Sequence, residues 1–83
     1  MIPEAVDAHY VRDYLVFIRF ADGREGTVDL REVLQGPMFE PLKKPSRFRQ
    51  FSIHPDFKTL CWPNGADIAP EFLYENVQVP ETV

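Results

Sequence analysis

Cysteine, histidine and glycine are scarce in this chain, with one Cys, two His and four Gly among 83 residues. A lone cysteine, Cys61, permits no internal disulfide, so the fold rests on packing, as suits a reducing cytoplasm. One Cys and two His are too few for a zinc site unless carboxylates or a neighbouring subunit join them. No metal or other cofactor is therefore expected. Long hydrophobic runs are missing as well: none approaches the roughly 20 residues needed to span a bilayer. The amino terminus, Met1 to Asp7, shows no basic segment and no apolar one, so no signal peptide is expected. Positive charge is in deficit, and the net charge of −4 disfavours non-specific binding to nucleic acid, which depends on neutralising phosphates.

What the chain does have is apolar and aromatic content. The hydrophobic fraction is 45%, with seven Phe, three Tyr and one Trp, enough for one core and against disorder. The length suits a single domain over residues 1–83, with a short tail after about residue 77 that is expected to fray. A chain this short buries only about 60% of its unfolded surface, which makes a homodimer a natural supplement to a thin core.

Most of the organisation converges on Cys61 to Tyr74. Leu60 and Trp62 share one face at the period of two, as at the end of a strand. Pro63-Asn64-Gly65 supplies the turn, and Pro70 suits the first position of a helix over Pro70 to Asn76. So compressed a sequence of events brings Trp62 near that helix, against Leu73. Ahead of this stretch, Ala5–Val11 reads as a short first strand and Tyr14–Phe20 as a central one, apolar on both faces. Asp22-Gly23 gives a two-residue type I′ hairpin signal, and Arg24–Val28 returns as the third strand. Asp29 with Glu32 resembles a capping box, opening a helix that directs Leu30, Val33 and Leu34 to the sheet and ends at Gly36-Pro37. Met38–Pro45 is irregular, with Phe39 and Leu42 pinning it to the core. Gln50–His54 and Lys58–Trp62 form a second hairpin around Pro55-Asp56. The expected fold is α+β: an antiparallel three-stranded meander plus a second hairpin, with two short helices packed on the sheet.

Four segments together resemble a known family. They are Tyr14–Phe20 with Asp22-Gly23; Val28-Asp29-Leu30; Phe39-Glu40-Pro41-Leu42 ahead of Phe48; and Trp62-Pro63-Asn64-Gly65-Ala66-Asp67 with Pro70-Glu71 and Leu73-Tyr74. The chain resembles the bacterial domain-of-unknown-function family 2442, and the Trp62–Asp67 run is the most specific element. The resemblance implies a small cytoplasmic α+β domain without established activity or catalytic residues. Some members carry a following helix-turn-helix domain, which a chain ending at Val83 is expected to lack. Others are encoded beside a second small protein, in an arrangement resembling toxin–antitoxin pairs.

The chemistry-bearing residues favour plain readings. Cys61 lies between Leu60 and Trp62 with no adjacent histidine to serve as a base, and reads as a structural thiol. Asp67 and Glu71 straddle a helix start, where the dipole favours acids and Asp67 could satisfy free N–H groups; a paired-carboxylate site is the weaker reading. The signature motif Trp62, Pro63, Asn64, Gly65 and Asp67 is read as structural. Lys43, Lys44, Arg47 and Arg49 are the one local excess of positive charge, and no acid occurs between Glu40 and Asp56. With Phe48 and Phe51 interleaved they could bind single-stranded nucleic acid. The preferred reading makes the phenylalanines core residues and the cations a docking surface for an acidic protein partner. The functional expectation is a non-catalytic interaction or regulatory domain, antitoxin-like, whose partner is a small toxin-like protein or a second copy of itself. A nucleic-acid-associated regulator is the alternative.

Overall fold

The computed structural model describes residues 2–78. Strands β1 (Ala5–Arg12), β2 (Leu15–Phe20) and β3 (Glu25–Asp29) form an antiparallel sheet in that order, and β4 (Ser52–Ile53) pairs with β5 (Leu60–Cys61). Two α-helical segments follow the hairpins: α1 is one turn, Pro45–Phe48, and α2 runs Pro70–Asn76. The architecture is the α+β arrangement that the sequence pattern predicts.

Val16, Ile18 and Phe20 alternate inward along β2 and meet Val28 from β3 and Ala5 from β1 in one buried cluster. That cluster also takes Leu30, Leu34, Leu42, Phe48, Leu60, Trp62 and Leu73 from the segments covering the sheet. The other face of β2 is only half-buried at Leu15 and Phe17; His9 stacks on Phe17 at 4.7 Å, and Arg19 pairs with Asp7 at 4.0 Å. β1 alternates poorly because its register slips twice, between Ala5 and Asp7 and between Tyr10 and Arg12. Val6 and Val11, the residues inside those slips, are exposed, as bulged positions commonly are.

Several local expectations are corrected. Around Asp22-Gly23, Phe20 N–H donates to the Arg24 carbonyl, so the loop is the three residues Ala21-Asp22-Gly23 and not a two-residue turn. Only Gly23 takes positive φ; Asp22 instead accepts from Arg24 N–H and from the Tyr74 hydroxyl. The helix expected from Asp29 is a single 3₁₀ turn, Arg31–Val33. Asp29 does accept the Arg31 N–H, at 2.9 Å, and Leu30 and Leu34 are buried as the spacing predicts. Gly36-Pro37 follows too soon for α-helical bonds to propagate. Pro45, the last residue of the stretch that the sequence predicts as irregular, starts α1. The second hairpin is shorter than its sequence suggests: β4 and β5 have two residues each. Its turn is held by His54, whose Nδ1 accepts the N–H groups of Asp56 and Phe57.

Gln78, counted with the fraying tail, exchanges two backbone hydrogen bonds with Thr27 and so adds to the edge of β3; residues 79–83 lie outside the described part. Gly26 makes that approach feasible. A Cβ at position 26 would stand 2.2 Å from the Gln78 carbonyl oxygen, far inside contact distance. We predict that Gly26→Ala lowers stability by about 1–3 kcal/mol, the usual cost of overpacking. Amide exchange should accelerate first at Thr27 and Gln78, and unchanged protection there would show that the strap moves aside freely.

The same hairpin grips α2. Tyr74 Oη donates to Asp22 at 2.6 Å, Arg24 Nε donates to the Tyr74 carbonyl at 3.1 Å, and the Arg24 guanidinium lies 4.9 Å over the Tyr74 ring. The Tyr74 hydroxyl, and next the Arg24 backbone N–H, hold the Asp22 pKa below its ordinary 3.8. Asp22, by the same hydrogen bond, raises Tyr74 above its ordinary 10.0. A depressed carboxyl stabilises the fold above its unfolded pKa and loses that contribution as pH falls through the folded value. A raised phenol contributes fully below 10.0 and loses its share as pH climbs past the folded value. Stability profiles of wild type and Tyr74→Phe should therefore differ between these limits and converge only as pH falls through the depressed pKa of folded Asp22. Parallel curves throughout would refute the contact.

Candidate interaction surface

A one-turn helix cannot stand alone, because nucleation fixes several residues for one hydrogen bond and leaves its last carbonyls unpaired. In α1 the carbonyl of Phe48 is taken by Trp62, whose indole Nε1 donates to it at 2.8 Å. The Trp62 ring sits among Phe39, Phe48 and Phe51, with centroids at 6.2, 6.0 and 6.4 Å. Its aromatic partners thus come from the segment ahead of β4, while Leu73 shares the wider buried cluster.

Asn64 makes a second hook. Its Oδ1 accepts Ala66 N–H at 3.0 Å, closing the turn, and its Nδ2 donates to the Met38 carbonyl at 2.9 Å. The turn itself is a hairpin: Trp62 N–H donates to the Ala66 carbonyl, Ile68 N–H to the Leu60 carbonyl, and Cys61 bridges Asp67. The alternation of this returning strand buries Ala66 and Ile68 and leaves Asp67 exposed. Ala69 holds the N-cap position, and no side-chain hydrogen bond caps α2, so Asp67 does not satisfy the free N–H groups there as its place in the sequence suggests. Pro63 joins Asn64, Pro41, Leu42, Arg47 and Gln50 around a small cleft of about 150 Å³, where the motif meets the basic segment.

The two hooks therefore fasten both ends of the stretch that carries Lys43, Lys44, Arg47 and Arg49. Between them Tyr14, in the β1–β2 turn, donates its hydroxyl to the Lys43 carbonyl, and the Phe48 ring packs edge-on to Tyr14 at 5.1 Å and to Tyr10 of β1 at 6.2 Å. All four cations are exposed. Lys43 pairs with Glu40 at 3.3 Å, and Arg49 lies 4.5 Å over the Tyr10 ring. Arg31 adds a fifth positive charge nearby, 5.5 Å over the Tyr14 ring. Among the described residues Lys44 and Arg47 have no ion-pair partner. Phe48 is fully buried and Phe51 half-buried against Phe48 and Trp62, so neither offers a free face for stacking.

The other chemistry-bearing residues do not converge. His9 stacks on Phe17, His54 closes the β4–β5 turn, and half-exposed Cys61 lies 3.6 Å from the Ser52 hydroxyl. Among the described residues no three His, Cys, Asp or Glu side chains are grouped to hold a metal ion, and no helix is long and apolar enough to cross a membrane.

A family model described as "Protein of unknown function (DUF2442)" matches residues 5–78, nearly the whole described chain. The chain belongs to this family. Neither the curated proteins nor the solved structures give a significant match. In this DUF2442 domain the signature motif has a definite mechanical part, because its indole and its amide hold the basic stretch in place.

Trp62→Ala should lose about 3–5 kcal/mol, much of the stability of so small a domain. Trp62→Phe keeps an aromatic ring but strands the Phe48 carbonyl, at a cost of about 1–3 kcal/mol. In that variant amide exchange should quicken across residues 38–51 while β1–β3 stay protected. Uniform acceleration would mean the indole bond does not hold this segment in particular.

Proposed function

We propose that this domain is a non-catalytic interaction module whose Lys43–Arg49 ridge docks on an acidic surface of a protein partner. The observation that carries this reading is the double fastening of the ridge by Trp62 and Asn64, which presents Lys44 and Arg47 free of ion pairs on a preorganised support. Preorganisation lowers the entropy lost on binding, and cations facing carboxylates set orientation and association rate. The aromatic rings of the segment are engaged internally, which favours a protein over single-stranded nucleic acid, whose binding would use them as stacking platforms. The family likeness suggests the context of a bacterial, cytoplasmic, antitoxin-like member of a two-protein module. Its partner would then be a small toxin-like protein, with a second copy of the chain as the competing occupant.

The test is a charge reversal, Lys44→Glu with Arg47→Glu. Both positions are exposed, so the thermal midpoint should hold. The wild-type domain should retain a protein from the native host in a salt-sensitive manner, and the variant should lose it. Neither form should shift a short oligonucleotide at physiological salt. Should the wild type instead bind oligonucleotides with a log–log salt slope near about −3, as four phosphate contacts to a single strand would give, the ridge is a nucleic-acid surface.

A further inference from the structure

At the opposite end of β1 from this ridge lies a groove of about 450 Å³ that no part of the reading above employs. Three distant pieces of chain build it: the arm before β1, the β4–β5 turn, and the segment leading into α2. Ala5 N–H donates to the Lys58 carbonyl and fixes the arm beside the turn. His54 Nδ1, by taking the N–H groups of Asp56 and Phe57, fixes the turn, and its ring lies 4.6 Å from that of Phe57. Lys58 completes it at φ 53, a left-handed conformation that is costly for a lysine and is held by its N–H to the His54 carbonyl. The result stands Phe57 out of the surface. Phe57 and Ile2 are each 65% exposed, the most exposed large apolar side chains among the described residues. The buried Thr59 hydroxyl on the floor is spent on the Ile68 carbonyl, so the floor presents no unpaired polar group.

The rim has one dominant sign. Glu4, Asp56, Asp67 and Glu71 line it against the single ammonium of Lys58. Apolar side chains held in water and ringed by carboxylates suit an occupant that is both apolar and cationic. An anionic lipid surface would be repelled. A second copy's basic ridge would bring charge without an anchor, because no large apolar side chain between residues 43 and 49 is exposed. We propose that the groove is a docking site for a cationic amphipathic segment of a partner protein, with Phe57 and Ile2 meeting its apolar side chains and the four carboxylates its Lys or Arg. This surface is separate from the Lys43–Arg49 ridge and opposite in charge, so either can fail without the other.

The experiment is an amide chemical-shift titration of the whole chain with three capped hexapeptides. The first is acetyl-Leu-Arg-Leu-Lys-Phe-Arg-amide, the second replaces its cations by glutamate, and the third replaces its apolar residues by serine. The first should give saturable shifts at Phe57, Lys58, Ala69 and Glu71, with affinity falling between about 0.1 and 1 M salt as the screening length drops from about 10 to about 3 Å. Phe57→Ser, and Asp67→Asn combined with Glu71→Gln, should each weaken binding about fivefold or more at unchanged thermal midpoint. Lys44→Glu with Arg47→Glu should not weaken it. Equal binding of the three peptides, shifts confined to other surfaces, or no saturable shift up to about 1 mM peptide, the weak end of specific affinity, would each overturn the proposal.

Discussion

The hydrogen bond from the Trp62 indole to the Phe48 carbonyl joins the two halves of this domain. One side of it is a strand end followed by a tight hairpin; the other is a proline-rich stretch whose longest helical element is four residues. Such a stretch has almost no intrinsic stability. Its order comes from burial of Phe39, Leu42 and Phe48 and from two carbonyls, of Met38 and Phe48, that find side-chain donors in the signature motif. A buried carbonyl left unpaired costs about 1–3 kcal/mol, and an aromatic pair contributes about 0.5–1.5 kcal/mol beyond its buried area. The indole bond and the ring cluster are therefore comparable in size, and a smaller side chain at position 62 forfeits both. Trp fits this place because it combines the largest apolar ring with an N–H donor at its edge.

That dependence explains why the exposed cations and the motif belong together. Lys43, Lys44, Arg47 and Arg49 are carried on backbone that would otherwise be loop. The sheet supports this backbone from one side through Tyr10 and Tyr14, and the motif from the other. Long cationic side chains on mobile backbone lose much entropy when they pair; the same side chains on fixed backbone lose less. The mechanical part played by the motif and the proposed docking part of the ridge are two aspects of one construction.

Elements governed by neighbours in sequence were legible before the structure. The alternation of Val16, Ile18 and Phe20 specifies β2, and Pro70 marks α2 at its first residue. The inward face of Leu30 and Leu34 is right although the helix around them shrinks to a 3₁₀ turn. What escaped depends on distant partners. Nothing within the expected strand Arg24–Val28 marks Gly26 until Gln78 is seen crossing over it. Asp22 reads as a turn former, yet its conformation answers to Tyr74, 52 residues away. The basic segment was visible because its cations lie close together in sequence, while the docking groove was not, since its lining is drawn from residues 2, 4, 56–59 and 67–71. Asp67 and Glu71, four apart at a helix start in the sequence, both line that rim, and no side chain caps α2.

The net charge of −4 conceals a polar arrangement. Ala5, at one end of β1, bonds to the turn bordering the acidic groove; Tyr10, near the other, packs beneath Arg49 of the basic ridge. Surfaces of opposite sign on one small molecule invite head-to-tail contact between copies, and such a heterologous contact propagates unless its geometry closes. Phe48 is turned inward and Phe51 half-covered, so residues 43–49 expose charge but no large apolar side chain to seat among Ile2 and Phe57. Exposed ion pairs alone contribute at most about 1 kcal/mol each and weaken with salt. A contact made only between that segment and the groove would therefore be electrostatic and shallow. At the groove, a partner that brings an apolar anchor together with its charge would gain what the Lys43–Arg49 segment of a second copy lacks.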